Sequence, residues 1–335
     1  MTDVEDLLTF LRGAPSPYHA VASVADRLTA AGFTEVGLDP PWEGGGARFV
    51  TRDGALVAWT TAGQDPSTPF RIVGAHTDSP NLRLKPNPDS GTAGWRQLGV
   101  EVYGGALWNS WLDRDLGLSG RVVVRGLDGF RTELLLVDRP LARIPQLAIH
   151  LDRDVNGQGL KLNPQVHLTP VWGLGPWAEG DLAGFLAREL SVDVADVVAW
   201  DLMFHDITPP TRLGRDQELV ASARLDNLLS CWAGTVALGS VARTRSILPS
   251  TPVLCLFDHE EVGSTSATGA DGALLAQVLE RVVLARGGDR QDLLRALSGS
   301  VCASVDMAHA THPNHPERHD PAHHVRVNAG PVVKI

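Results

Sequence analysis

The sequence predicts an α/β protein interrupted by a β-rich insert. Three features carry this reading. Apolar-periodic helices occupy both ends of the chain, apolar runs of strand length stop at histidine or acidic residues, and the middle third is glycine-rich with alternating side chains. At about 150 residues per domain, 335 residues make roughly two domains. Residues 1–90 and 211–335 are expected to form the α/β unit, and residues 91–210 the insert.

The elements follow in order. Thr2 or Asp3 caps a helix whose apolar face is Val4, Leu7, Leu8 and Leu11. A second helix opens at Ser16 with Pro17 in its first position, and presents Ala20, Val21, Val24 and Leu28. The loop from Pro40 to Gly46 is a flexible connection. The run from Phe70 to Ala75 reads as a strand ending at His76. Within the insert, Arg121–Arg125 and Arg131–Val137 flank Leu127-Asp128-Gly129, the signature of a hairpin turn. Helix returns from Asn227 to about Arg243 and again from Asp271, as N-cap, through Val283. Gly330 to Ile335 reads as the start of a strand.

Composition narrows the function. Apolar residues make up 43% and charged residues 20%, the balance of a globular protein with a core. The 39 acidic residues exceed the 29 basic ones for a net charge of −10, with no basic run to track phosphates, so no nucleic-acid partner is expected. No apolar stretch approaches the ~20 residues of a membrane helix, and the acidic start lacks the character of a signal peptide. Membrane association is therefore not expected, and a cytoplasmic location is. The three cysteines, Cys231, Cys255 and Cys302, sit far apart in apolar runs and read as buried thiols in a reducing compartment.

The chemistry lies where the apolar runs stop. His76 follows one, Glu260 and Glu261 follow Pro252–Phe257 after Asp258 and His259, and Asp306 follows Ser300–Val305. Asp226 opens the helix near Asn227. In an open α/β sheet, loops at the carboxyl ends of parallel strands share one crevice, so residues distant in sequence converge. One imidazole with several carboxylates and no thiolate suits a hard or borderline divalent ion in an open site. Asp78, two residues past His76, is placed to orient the imidazole. Singly, Asp226 reads better as a helix cap and Asp306 as a turn former. Together they point to a metal site.

These stretches resemble the M18 metallopeptidases, the family of aspartyl aminopeptidase. The matching segments include Ser16–Val21, Gly74-Ala75-His76-Thr77-Asp78-Ser79-Pro80, Leu82–Pro86, Tyr103-Gly104-Gly105, Trp111–Leu116, Arg143–His150, Arg224-Leu225-Asp226-Asn227, Asp258–Ser264, Ser304–Ala310 and Gly330–Lys334. The resemblance implies a mixed-sheet α/β/α metallopeptidase catalytic domain with an inserted β-rich oligomerisation domain. It implies a two-metal aminopeptidase, most simply with zinc, that acts on peptides with a free N-terminus and prefers Asp or Glu there. His76 and Asp306 would hold one ion and Glu261 the other, with Asp226 bridging, Glu260 as general base and Asp78 orienting His76. His309 would help stabilise the oxyanion or serve structure alone. Lys334 would pair with an acidic substrate side chain. His150 would reach the active site of a neighbouring subunit in a homo-oligomer, commonly a dodecamer.

Two departures stand out. His259 replaces the Asn usual in the family's D-N-E-E stretch, where it could alter a local pKa or add a ligand. The family also continues beyond the position of Ile335 and there supplies the last histidine ligand of the second ion, so a catalytically impaired homologue is the alternative expectation. Half of the 12 histidines fall between His309 and His324, and this tract is a loop or a substitute ligand source.

Overall fold

A computed structural model describes residues 2–61, 63–244 and 247–334. Helix α1 (Asp3–Gly13) starts where the Thr2 hydroxyl accepts the Glu5 N–H, and helix α2 (Pro17–Ala30) starts at Ser16, whose hydroxyl accepts the His19 N–H. Leu7, Phe10 and Leu11 of α1 and Ala20, Val21, Val24 and Leu28 of α2 are buried. Strands β1 (Thr34–Glu35), β2 (Ala47–Arg52), β3 (Ala55–Thr60) and β4 (Phe70–His76) belong to a first sheet.

The second sheet takes its strands from β5 (Asn81–Thr92), β6 (Trp95–Tyr103), β7 (Leu116–Gly126), β8 (Gly129–Ala142), β9 (Val171–Leu174) and β10 (Val197–Asp206), ordered β8-β7-β10-β5-β6-β9 and antiparallel throughout. Its first strand begins at Asn81, ten residues ahead of the shift in composition at 91, because Leu82 and Leu84 already alternate toward its core. The β7–β8 hairpin turns at Leu127-Asp128, with Gly126 opposite Gly129. Two single-turn helices, α3 (Val155–Gln158) and α4 (Pro164–His167), lie between β8 and β9. Helix α5 (Asp181–Leu190) buries Leu182, Phe185 and Leu186 against the sheet.

After a small hairpin, β11 (Thr211–Leu213) with β12 (Leu219–Ala221), the chain returns to the first unit through α6 (Leu225–Ala242), β13 (Thr251–Phe257), α7 (Leu274–Ala285), α8 (Arg290–Ser298) and β14 (Val301–Ser304). The first sheet runs β1-β2-β3-β13-β4-β14, with β13, β4 and β14 mutually parallel and β2, β3 and β13 antiparallel. One face packs on α1, α2 and α6 through Phe10, Leu228 and Leu254. The other packs on α7 and α8 through Val278, Val282 and Leu293. This is the expected mixed-sheet α/β/α layering, and β3, covered on both faces, is buried along its whole length.

Three expectations are corrected. Helix α7 begins at Leu274 rather than Asp271, because the Asp271 N–H bonds the Ser264 carbonyl and ties residues 264–272 into a loop. Cys302 is exposed, since β14 is an edge strand, while Cys231 and Cys255 are buried as expected. Residues 331–334 are irregular rather than strand, and Ile335 lies outside the described residues.

Candidate active site

The parallel trio β13-β4-β14 delivers the site. His76 is the last residue of β4, the Glu260–Val262 turn of 3-10 helix follows β13, and Asp306 lies two residues past β14. Asp226 sits at the entry of α6 with non-helical backbone (φ −81°, ψ 109°), and this turns its side chain into the same crevice. The crevice is the one that parallel strands form at their carboxyl ends.

His76 is the centre of the cluster. Its Nε2 lies 3.3 Å from Asp226 Oδ1, 3.7 Å from Asp306 Oδ1 and 3.8 Å from Glu260 Oε2. His76 belongs to two groups of three, one with Asp226 and Asp306 and one with Glu260 and Glu261, and within each group the ligand atoms lie within 4.8 Å of one another. On the other side of the ring, Nδ1 is 3.0 Å from the Asp78 carbonyl and 3.3 Å from Asp78 Oδ1. Asp78 is fully buried. Its Oδ1 accepts the Glu260 N–H and its Oδ2 accepts the Glu261 N–H, both at 3.1 Å, and the Tyr103 hydroxyl donates to Oδ2 at 2.6 Å.

Other bonds fix the frame. Ser79 Oγ donates to the Asp226 carbonyl at 2.8 Å, Asn227 Nδ2 to the Val305 carbonyl at 2.7 Å, and the Cys231 thiol to the His76 carbonyl at 3.0 Å. Tyr103, Ser79, Asn227 and Cys231 were given no role from sequence. Only Tyr103 carried a readable signal, a tyrosine set before Gly-Gly at a strand end.

The electrostatics show crowded acids. Burial works against charge on His76, but the Asp78 hydrogen bond and the charges of Asp78, Glu260 and Asp226 overcome it and lift the pKa to about 9. Burial pushes Glu261 up to about 7, with Asp78, Asp226 and Glu260 adding to the effect against His76. Asp226 is raised by burial and by Asp306. Burial opposes charge on Asp78 as well, yet the hydrogen bonds from His76, Tyr103 and the Glu261 N–H hold it below the usual carboxylate range. Lys334 Nζ, 3.1 Å from Asp306 Oδ2, helps keep the Asp306 pKa low against its partial burial. One imidazole among four carboxylates, with one lysine at the edge, is a donor set that divalent cations would complete, so the residues fit such ions.

The remaining sequence candidates lie outside this cluster. His150 is exposed on the loop after β8, and His309 is exposed past Asp306. His259 occupies a left-handed backbone position (φ 65°), where Asn and His are both enriched, and its Nδ1 pairs with Ser266 Oγ at 2.7 Å. It does not join either three-ligand group among the described residues, and neither does any histidine from 309 to 324. A cleft of about 730 Å³ opens beside Asp226 and Glu261 between the two sheets, and Ser79, Asn81, Trp111, Arg114 and Arg224 line it.

Parallel strands that bring an imidazole and acidic side chains together beside a cleft define an α/β metallo-hydrolase. Residues 10–335 match the family described as aminopeptidase I zinc metalloprotease (M18), and the chain belongs to that family. It is 59% identical over 334 residues to the probable M18 family aminopeptidase 2 of Streptomyces coelicolor, covering 99% of this chain and 77% of that one. It is 50% identical over 336 residues to the protein of the same description from Mycobacterium tuberculosis, covering 98% and 77%. Among solved structures, a chain of the complex of Ape4 and Nbr1 superposes with a TM-score of 0.92 at 35% identity, covering 97% of this chain and 67% of that one. The S. cerevisiae mApe1 dodecamer gives 0.85 at 26% identity, covering 98% and 77%.

Proposed function

We propose that this chain is a two-metal aminopeptidase that hydrolyses the first peptide bond of substrates with a free N-terminus, preferring Asp or Glu there. The observation that carries the reading is His76, with Nδ1 held by Asp78 and Nε2 facing Asp226, Glu260 and Asp306 at 3.3–3.8 Å. His76 and Asp306 would hold one divalent ion and Glu261 the other, with Asp226 shared. Bound ions, zinc by family, would neutralise the crowded carboxylates and acidify the attacking water.

The chain's own residues do the rest. Asp78 keeps His76 in the tautomer with a free Nε2. Glu260 accepts the proton of the water as its oxygen adds to the scissile carbonyl, and returns it to the amine as the C–N bond breaks. The acidic rim receives the substrate's ammonium group, which confines cleavage to chain ends. The cleft beside Glu261 takes the rest of the peptide. Lys334, beside Asp306, supplies positive charge for an acidic first side chain. His309 is within three residues of Asp306 and would assist at the oxyanion.

Assembly is part of the reading. Leu147, Ile149 and Leu151 are 56%, 47% and 75% exposed around His150, an apolar segment that a neighbouring subunit would cover while His150 reaches its site. The mApe1 dodecamer supports a homo-oligomer of that kind. A cytoplasmic site of action fits buried thiols at Cys231 and Cys255, and no helix among the described residues is long and apolar enough to cross a membrane.

The test compares an aspartyl peptide with its N-acetylated form and counts bound metal. Cleavage of the free-amine peptide alone, with two ions per chain, is expected. Fewer than two ions with both peptides intact would identify a non-catalytic relative instead.

A further inference from the structure

Asp78 is the hub of the site, and its fourth partner comes from the other sheet. Tyr103 ends β6 and donates its hydroxyl to Asp78 Oδ2 at 2.6 Å, the same oxygen that accepts the Glu261 N–H. In a fully buried carboxylate each lone pair must be filled, so the hydroxyl and the two turn amides hold one another in register. The next residue acts on the same glutamate by shape. Gly104 has φ +72°, and a Cβ there would lie 3.0 Å from Glu261 Cβ and 3.4 Å from its Oε2. Only glycine leaves the Glu261 side chain where it is.

Tyr103 is itself braced. The Arg83 guanidinium of β5 stacks 4.0 Å from the centre of its ring and bonds Asp201 Oδ1 of β10 at 3.2 Å. The hydroxyl therefore projects from three adjacent strands of a continuous sheet rather than from a loop.

We propose that Tyr103 and Gly104 form a positioning pair through which the second sheet sets the Glu260-Glu261 turn, and with it Glu261, against His76. The inference rests on the reading of His76 and Glu261 as metal ligands. Neither Tyr103 nor Gly104 lines the cleft beside Asp226 and Glu261.

Two variants of the full chain test it. Tyr103→Phe keeps the ring and its stacking but removes the hydroxyl, and Gly104→Ala adds the Cβ. In the metal-free chain, hydrogen exchange at the Glu260 and Glu261 amides is expected to quicken about tenfold in Tyr103→Phe, with other protected amides unchanged. Zinc titration calorimetry is expected to show the weaker of two binding steps weakened 10–100-fold in both variants. Turnover of an aspartyl peptide should lose kcat while KM stays within twofold. Wild-type exchange at both amides overturns the proposal. So does faster exchange with an unchanged zinc isotherm, because the turn would then move without moving the ligand. A wild-type chain that takes up no zinc sinks the ligand reading instead, and the exchange result still decides whether Tyr103 holds the turn.

Discussion

The Nδ1 nitrogen of His76 faces two oxygens of Asp78, the backbone carbonyl at 3.0 Å and carboxylate Oδ1 at 3.3 Å. A carbonyl only accepts, so Nδ1 carries a proton. Without a cation the surrounding carboxylates hold a second proton on Nε2, and a bound ion would take that proton's place and use the Nε2 lone pair. Asp78→Asn removes the charge and puts an amide donor beside the amides of Glu260 and Glu261. Zinc affinity is expected to fall 10–100-fold, read by calorimetry, with the far-UV circular dichroism unchanged.

Glu260 separates chemistry from binding. Its carboxylate reaches 3.8 Å from His76 Nε2, while its N–H is held by Asp78, so the side chain can change without releasing the turn. Glu260→Gln is expected to lower kcat ~10²–10⁴-fold on an aspartyl peptide while both zinc steps remain. A variant that keeps wild-type turnover would remove Glu260 from the role of base.

How far this site was legible from sequence depends on the kind of residue. His76, Asp226, Glu260, Glu261 and Asp306 were readable because each ends an apolar run or opens a helix, and parallel strands gather such ends. Tyr103 carried only the signal of a tyrosine before Gly-Gly, since its partner Asp78 lies 25 residues away, in the connection between β4 and β5. The start of the second sheet at Asn81 was obscured because the glycine-rich texture of the insert begins only near Gly91, ten residues after β5 starts. Cys302 was misread because an apolar run does not reveal whether its strand is central or at an edge. The start of α7 was misread because Asp271 resembles a cap until the loop from Ser264 takes its N–H.

Acid should destabilise the fold through His205. Both ring nitrogens lack a hydrogen-bond partner, and Asp138 Oδ1 is no nearer than 3.9 Å. Burial drives the pKa down to about 3, with Arg224 and His19 adding and Asp206 opposing. Between pH 3 and 6.5 the unfolded chain holds a proton that the native chain refuses, so stability falls as pH drops through that window and is unaffected above it. Going from pH 7 to 5 is expected to cost about 2 kcal/mol from this residue. His205→Phe should flatten the pH dependence of the urea midpoint by about one proton.

Gly54, in the β2–β3 turn, is packed against Asp258, which leads from β13 into the glutamate turn. A Cβ there would fall 2.2 Å from Asp258 Oδ2 and 2.9 Å from Pro17 Cβ, and neither a buried carboxylate nor a proline ring can retreat. Gly54→Ala is expected to destabilise the chain by about 1–3 kcal/mol in urea unfolding. It should also lower activity, because Asp258 precedes the Glu260 turn by two residues.

Asp226 poses the opposite trade. Burial first, then the charges of Asp306 and Glu260, raise its pKa against the pull of His76, so without metal the native state carries a net penalty on this carboxylate, part of it like-charge repulsion. Asp226→Asn removes that repulsion and keeps the shape. The metal-free variant is therefore expected to melt at a higher temperature than metal-free wild type, by a margin that shrinks as salt screens the charges. Added zinc should reverse the order. Ions that bind only the folded wild-type chain stabilise it by about 2.7 kcal/mol at a hundredfold excess over Kd, while the variant, lacking the shared carboxylate, gains far less. Scanning calorimetry with and without zinc checks both signs. A metal-free variant less stable than wild type would mean that Asp226 serves the fold as a helix cap, not the cations.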